Sequence, residues 1–366
     1  MEGFYIAALE KAAGVGQAAV LALRDYFGSA AAAWQGMAEL GAVLQLSAKQ
    51  REALAGLYRE EPLLPEKIAE ECRKKDIAVC TRWDGDYPVI LKEIFRPPLV
   101  LFYRGQLQAD TLRVAVVGAR KATPYGKSVA EALGAGLAKG GATVVSGAAY
   151  GIDAAAHKGA LAAGRTVAVL GCGVDVAYPP SNRRLLEEIA AGPGAVVSEY
   201  APGTKPVAAF FPARNRIISG LARGTVVVEA ADRSGSLITA EMALSEGRDV
   251  FAVPGSIFSE LSRGTNRLIQ QGAKLVQSSD DVLSEYMEAR PAPEEQASCP
   301  EMTAEEAAIY RVLSFDTPLP VDEIIYKLNG SNVSNIAFQL LQMELKGLIT
   351  ENDDHTYCRA VKEGQL

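Results

Sequence analysis

The sequence of 366 residues has few of the side chains that build metal centres or disulfide frameworks. It contains two histidines, His157 and His355, and five cysteines without a CxxC pair. This composition argues against a zinc site and against a disulfide-linked secreted fold. No apolar run approaches the ~20 residues of a membrane span, and the first residues lack a basic leader with a cleavage site. We therefore expect a cytoplasmic protein without metal, cofactor or membrane partner.

The motifs of common nucleotide-binding and catalytic sites are incomplete. Gly126, Lys127 and Ser128 form a GKS sequence, but a P-loop requires glycine where the chain has Lys121. The GCGVDV stretch has Val176 where a dinucleotide fingerprint requires glycine. The sequence has no GxSxG or HExxH motif and no clear pair of catalytic carboxylates. Asp153, Glu199 and Glu229 are interpreted as loop-orienting groups, and we expect no enzymatic activity.

The net charge of -7 hides an uneven distribution along the chain. From Arg113 to Gln277 there are 18 basic and 12 acidic residues, whereas the remainder has 19 basic and 32 acidic residues. A basic middle between acidic ends produces a local field that attracts a polyanion to one part of the molecule.

The middle of the chain alternates apolar strand-like runs with amphipathic stretches. The runs begin at RVAVVG, ATVVSG, TVAVLG, AVVSEY, TVVVEAA and DVFAVPG. Strands that are apolar throughout, separated by helices, are typical of a parallel sheet covered on both faces. We therefore predict an α/β fold with a doubly wound, extended Rossmann-like core over residues 111–287.

The flanking segments have other patterns. Residues 1–80 read as short helices of a SAM-like domain, and residues 81–110 read as an ordered connector rich in proline and aromatic residues. Residues 288–299 are a proline-rich acidic linker. Residues 300–366 have the order of a winged helix, with a third helix in NVSNIAFQLLQMELKG that stops at Gly347, followed by a β-wing.

Ligands of open parallel sheets bind at the carboxyl ends of the strands, where helix amino termini present free N–H groups. Several of the loops expected at this edge contain small or basic residues that suit phosphates. The candidate binding residues are Gly118, Arg120, Lys121, Ser146, Gly147, Gly151, Lys158, Arg214, Asn215, Arg216, Ser234, Gly235 and Ser236.

The densest of these loops places Arg214, Asn215 and Arg216 at a predicted helix start. Arginines in a first turn oppose the helix dipole, so an anion at the site would explain them. The nearby aromatics Tyr150, Phe210 and Phe211 either stack on bases or pack internally.

These residues carry a resemblance that extends over nearly the whole chain. The stretches VAVVGARKATPYG, VVSGAAYGIDAAAHKGAL, SEYAPGTKPVAAFFPARNRIISGL and VVVEAADRSGSLITAEMALSEGRDVFAVPG resemble the DNA processing protein A (DprA/Smf) family. The resemblance implies a single-stranded DNA-binding protein that protects incoming DNA, loads the RecA recombinase onto it in natural transformation and forms a homodimer through its Rossmann core. The Gly-Ser-Arg motif of the family corresponds here to Gly118, Ala119 and Arg120. Lys158 resembles a DNA-contacting lysine of the family.

Two other functions remain open from the sequence. The same Rossmann variant resembles nucleotide-processing enzymes of the lysine-decarboxylase-like group, although SGSLITAE lacks the glycine pair of their PGGxGTxxE signature. A winged helix can also regulate transcription by reading duplex DNA. Residues 300–360 contain only 4 basic and 10 acidic residues, which disfavours binding of a DNA groove.

Overall fold

The computed structural model describes residues 1–108, 111–286, 302–315, 317–328, 335–352 and 355–360. Within these residues no helix combines the length and apolar character that crossing a bilayer requires.

The first part of the chain forms short helices, as predicted. The helices are α1 (Glu2–Glu10), α2 (Gln17–Phe27), α3 (Ala30–Gln35), α4 (Ala48–Glu60) and α5 (Leu64–Lys74). Their ends follow from local sequence: Ser47 and Gln50 form a capping box at the start of α4, and Gly28 ends α2 with φ of +87°. The apolar faces of these helices share one core with the sheet, through residues such as Phe102. Their assignment as a SAM-like domain stays a prediction.

The centre of the molecule is a nine-stranded, mostly parallel sheet. Its strands are β1 (Ala78–Thr81), β2 (Val100–Gly105), β3 (Arg113–Val117), β4 (Thr143–Ser146), β5 (Arg165–Val169), β6 (Ala195–Ser198), β7 (Gly224–Val227), β8 (Asp249–Ala252) and β9 (Lys274–Leu275). Their order is β1-β2-β6-β5-β4-β3-β7-β8-β9. The strands predicted from six apolar runs, β3 to β8, are all present and parallel to one another.

Helices cover both faces of the sheet, which confirms the doubly wound fold. They are α6 (Val89–Lys92), α7 (Pro124–Lys139), α8 (Ile152–Ala163), α9 (Arg183–Ala191), α10 (Phe210–Gly220), α11 (Gly235–Ser245), α12 (Arg263–Gln270) and α13 (Asp280–Leu283). Val114 and Val116 of β3 point towards α7 and α8, whereas Ala115 and Val117 point towards α10 and α11. This alternation follows from the two-residue period of a strand.

The predicted connector belongs to the sheet. Strand β2 pairs antiparallel with β6, and β1, which spans the predicted boundary at residue 80, pairs antiparallel with β2. The sequence pattern did not show this extension, because each strand is short and the segment between them is rich in proline and aromatics.

The order of the strands reverses beside β3, which lies between β4 and β7. The chain leaves β3 towards one half of the sheet and reaches the other half only with β7. Open α/β sheets bind their ligands at such a reversal, outside the carboxyl ends of the strands. The loops that follow β3 to β8 therefore share one edge, which we call the carboxyl edge.

The last part of the chain forms a winged helix with its own apolar core. Its elements are α14 (Ala304–Val312), β10 (Leu319–Pro320), α15 (Val321–Lys327), α16 (Ile336–Leu345), β11 (Ile349–Glu351) and β12 (Thr356–Arg359). Gly347 has φ of +63° just after α16, as expected for a glycine stop. The predicted linker 288–299 and the predicted start of the third helix at residues 332–334 lie outside the described residues.

Candidate nucleic-acid interface

Arg120 and Lys121 are exposed on the loop that follows β3. The guanidinium carbon of Arg120 lies 5.4 Å from the ring centroid of Phe211. The ring of Phe211 in turn stacks on Tyr178, with centroids 5.2 Å apart. A cation thus lies beside a pair of partly exposed aromatic rings at the point where the strand order reverses.

The loop that carries Arg120 is fixed by a buried carboxylate from the other half of the sheet. Glu229 follows β7 and accepts hydrogen bonds from the backbone nitrogen (2.9 Å) and the hydroxyl (2.5 Å) of Thr123. Thr123 also caps α7. Gly126 leaves room for this carboxylate, because a Cβ there would lie 2.3 Å from the carboxyl carbon of Glu229. Burial raises the pKa of Glu229, and the bonds from Thr123 oppose that rise.

The candidate glycines allow protein segments to approach each other. Gly151 has φ of +75°, and a Cβ at this position would lie 2.3 Å from the carbonyl oxygen of Ala119. A Cβ at Gly118 would clash with Ile152, and one at Gly147 would clash with the guanidinium of Arg214. Each of these three sites therefore has a packing reason for its glycine, and the approach of a phosphate to them stays a prediction.

Two candidate residues are buried and engaged inside the protein. The hydroxyl of Ser146 donates to the carbonyl oxygen of Val116 at 2.6 Å. Arg214 is 4% exposed and donates to the carbonyl oxygens of Gly147 (2.6 Å) and Val169. Burial lowers the pKa of Arg214 to about 10, against the opposing influence of Asp153. Arg214 is therefore a buried residue that links the carboxyl ends of the neighbouring strands β4 and β5.

The prediction that a helix starts at Arg214 is wrong. Helix α10 begins at Phe210, so Arg214 lies in its second turn. The first turn contains Pro212, and proline is tolerated there because its missing N–H would have no intrahelical partner. The dipole argument for an anion at this helix start consequently does not hold.

Arg216 and Asn215 also have protein partners. Arg216 forms an ion pair of 2.5 Å with Glu199, and the amide of Asn215 donates weakly to the carbonyl oxygen of Gly235 at 3.4 Å. Glu10 of α1 interacts electrostatically with both members of the ion pair between Arg216 and Glu199. Burial, reinforced by the charge of Glu199, raises the pKa of Glu10 to about 8.

The remaining candidates lie on α8 and α11, two helices that start at this edge. Lys158 is exposed on α8, six residues after its start and thus about 9 Å along the helix axis. Ser234 caps α11 through the backbone nitrogen of Ser236, while Gly235 between them is exposed. The hydroxyls of Ser234 and Ser236 are 2.7 Å apart.

Further exposed cations at the carboxyl edge did not enter the sequence prediction. Arg183 follows β5, Lys205 follows β6, Arg233 follows β7 and Arg263 follows β8. The signal was a basic residue on the loop after each of these strands.

The carboxylates and the imidazole near this edge have internal roles. The carboxylate of Asp153 accepts from the backbone nitrogen of Ala149 at 3.3 Å, and burial raises the pKa of Asp153. His157 is buried, its Nδ1 lies 2.7 Å from the hydroxyl of Thr166, and desolvation lowers its pKa to about 3. Among the described residues, no three His, Cys, Asp or Glu side chains are grouped as a metal site would require.

Sequence profiles of two domains match this chain. The profile of DNA recombination-mediator protein A matches residues 78–287, and that of the DprA winged helix domain matches residues 288–354. DNA processing protein DprA of Streptococcus pneumoniae is 52% identical over 56% of this chain and 72% of its own length. Protein Smf of Synechocystis is 34% identical over 98% of this chain and 99% of its own length.

Two solved structures share the fold. The crystal structure of DNA processing protein A from Streptococcus pneumoniae matches with a TM-score of 0.62 and 39% identity, over 78% of this chain and 99% of that one. DNA processing protein A from Helicobacter pylori, solved for its single-stranded DNA binding mode, matches with a TM-score of 0.53 and 30% identity, over 58% and 97%. Profiles, relatives and structures agree, and the chain belongs to the DNA processing protein A (DprA/Smf) family.

Proposed function

We propose that this protein binds single-stranded DNA along the carboxyl edge of its sheet. The observation that carries the proposal is the position of Arg120 over Phe211, which stacks on Tyr178. Single strands are held by cations that neutralise phosphates and by aromatic rings on which bases stack. Arg120 supplies the first of these and the aromatic pair supplies the second, side by side.

The charge of the edge supports the proposal. Six exposed cations lie on the loops and helix starts that follow β3, β5, β6, β7 and β8, namely Arg120, Lys121, Arg183, Lys205, Arg233 and Arg263. The acidic Asp232 among them is paired with Arg267 at 3.4 Å. A DNA strand that crosses the edge would meet these positive side chains, and the exposed Gly235, which has open space around it, would allow the DNA backbone to come close.

The wider role is proposed from family membership. We propose that the protein protects incoming single strands and delivers them to the RecA recombinase during natural transformation, in the cytoplasm. The profile that matches the core describes a recombination mediator. Homodimerisation through the Rossmann core is part of this proposal, and Ile257 and Phe258, which are 77% and 90% exposed after β8, are apolar side chains that a second copy would cover.

We propose no enzymatic step. Glu199 is paired with Arg216, Glu229 with Thr123, and Asp153 with backbone, so each of these three carboxylates has a partner inside the protein. A nucleotide-processing enzyme would need one of them directed at its substrate. Release of base from nucleoside monophosphates by this protein would contradict the proposal.

A titration of the full chain with labelled single-stranded and duplex DNA of equal length, at two salt concentrations, tests the function. We expect tighter binding of the single strand at both salts, without sequence preference, because unpaired bases are free to stack. Affinity should fall steeply with salt, since each neutralised phosphate releases counterions. Equal affinity for the duplex at moderate salt would contradict the proposal.

A further inference from the structure

Helix α16 of the winged helix has apolar side chains on two faces. Leu340 and Met343 are buried in the core of this domain. Phe338, Leu341 and Leu345 point away from it and are 53%, 52% and 75% exposed. Their spacing of three and four residues places them in one row along the helix, which we call the outer stripe.

Helix α16 is the third helix of the winged helix, the element with which such domains read duplex DNA. The helix itself has no Lys or Arg. Lys346, which follows its last residue, is not available for a phosphate, because its amine forms an ion pair of 2.6 Å with Glu306. Glu306 is 2% exposed and belongs to the capping box of α14, so this pair is part of the domain's internal structure. The exposed face of α16 therefore offers apolar surface where a DNA reader offers positive charge.

The other cations of the domain are mostly committed as well. Lys327 pairs with Glu323 at 3.1 Å. Arg359 donates to the carbonyl oxygen of Tyr310 at 2.8 Å and lies 4.5 Å from the centre of its ring. With 10 acidic and 4 basic residues between positions 300 and 360, the domain repels a polyanion. The same balance disfavours a second copy of this acidic domain as the occupant of the stripe.

We propose that the outer stripe binds an amphipathic helix of another protein, whose apolar face is flanked by Lys or Arg. Apolar anchors three and four residues apart are the usual features of helix recognition in a groove or along a helix face. Acidic side chains such as Glu344, which lies beside Leu341 and Leu345 on α16, would pair with the flanking cations of the partner. The outer stripe belongs to the winged helix, whereas the proposed DNA-binding edge belongs to the nine-stranded sheet, so variants can alter one without altering the other.

The test uses the full chain and three fluorescent synthetic peptides of about 18 residues, which is five helical turns. The first is an amphipathic helix of Leu and Lys, the second has the same composition in scrambled order, and the third has Glu in place of Lys. We expect the first peptide to bind and the other two to bind weakly. The double variant Phe338→Gln/Leu345→Gln should weaken binding of the first peptide by roughly tenfold or more, because it removes two apolar anchors.

A matched double variant controls for general loss of apolar surface. Leu44 and Leu63 are 84% and 62% exposed in the N-terminal helical region, and Leu44→Gln/Leu63→Gln should leave peptide binding unchanged. Glu344→Lys keeps the stripe and reverses one flanking charge, so it should weaken the first peptide even if the double variant of the stripe folds poorly. Thermal melting of each variant establishes that it is folded.

Three results would overturn the proposal. One is an unchanged affinity for the first peptide in both the stripe variant and Glu344→Lys, because the peptide would then bind elsewhere. Another is self-association in sedimentation experiments that disappears in the stripe variant, which would make a second copy the occupant. The last is loss of DNA affinity in the stripe variant, which would make the stripe part of a nucleic-acid surface.

Discussion

The carboxyl edge of the sheet and the outer stripe of α16 are both exposed, yet their chemistry is opposite. The edge combines cations such as Arg120 and Lys121 with the stacked rings of Phe211 and Tyr178. The stripe is apolar, and Lys346, the cation that follows its helix, is paired with Glu306. A fold known for DNA binding therefore does not by itself place the DNA, since function depends on the chemistry of each surface.

The arginines of the carboxyl edge also differ from one another in how deeply they are buried. Arg214 is buried and donates to backbone carbonyl oxygens, whereas Arg120 is exposed and lies over the ring of Phe211. Variants of these residues, and of the cation beside the stripe, test this contrast.

Arg214→Met should have the largest effect on stability. It removes the donors to the carbonyl oxygens of Gly147 and Val169, and it takes from Asp153 the larger of its two nearby positive charges, the other being Arg120. Breaking a buried charged arrangement of this kind costs about 3–5 kcal/mol, and the thermal midpoint should fall by several degrees. A midpoint that stays fixed while strand affinity is lost would instead make Arg214 a phosphate contact.

Gly151→Ala should destabilise the protein less and also weaken strand binding. The new Cβ would lie 2.3 Å from the carbonyl oxygen of Ala119 and 2.6 Å from that of Arg120, at a φ of +75°. Such strain costs on the order of 1–3 kcal/mol, and its relief would displace the loop that carries Arg120. Denaturant unfolding and strand titration measure the two effects. A loss of stability without any change in affinity would show that the position of this loop does not matter for binding.

Lys346→Met should have the smallest effect. The pair with Glu306 holds the pKa of that carboxyl below its usual value, so its contribution is present above about pH 4.5 and is lost as the pH falls further. Because Lys346 is 41% exposed, we expect a loss of about 1 kcal/mol or less at pH 7, a smaller loss at acidic pH, and unchanged DNA affinity. Unfolding at pH 7 and pH 3.5 with a strand titration checks this. A clear drop in DNA affinity would assign the winged helix a part in binding.

The strands and helices could be predicted from the sequence better than the side-chain contacts at the carboxyl edge. Continuous apolar runs such as RVAVV are diagnostic of buried parallel strands, and all six were present. Strands β1 and β2 were missed because short antiparallel strands without an intervening long helix give no such pattern. The start of α10 was placed one turn too late, although Pro212 is compatible with a first helical turn.

The roles of the individual site residues depend on partners far away in sequence. Glu229 holds Thr123 across 106 positions, and Arg214 reaches Gly147 across 67. No local pattern distinguishes a buried arginine such as Arg214 from an exposed one such as Arg120. The edge could therefore be predicted from topology, whereas the division of its residues into structural and exposed ones required the structure.

The most direct measurement of the central claim compares two charge reversals in the full chain by single-stranded DNA titration. Arg120→Glu alters the carboxyl edge, and Arg223→Glu alters an exposed arginine just before β7, at the opposite edge. Arg248, which directly precedes β8, lies at the same opposite edge. It is a poorer control, because it is paired with Glu93 at 2.9 Å. We predict that Arg120→Glu weakens binding by more than the ~1–3 kcal/mol of one charged contact, that is, roughly a hundredfold or more, with the thermal midpoint unchanged. Arg223→Glu should change affinity little, and an equal loss from both substitutions would contradict the account.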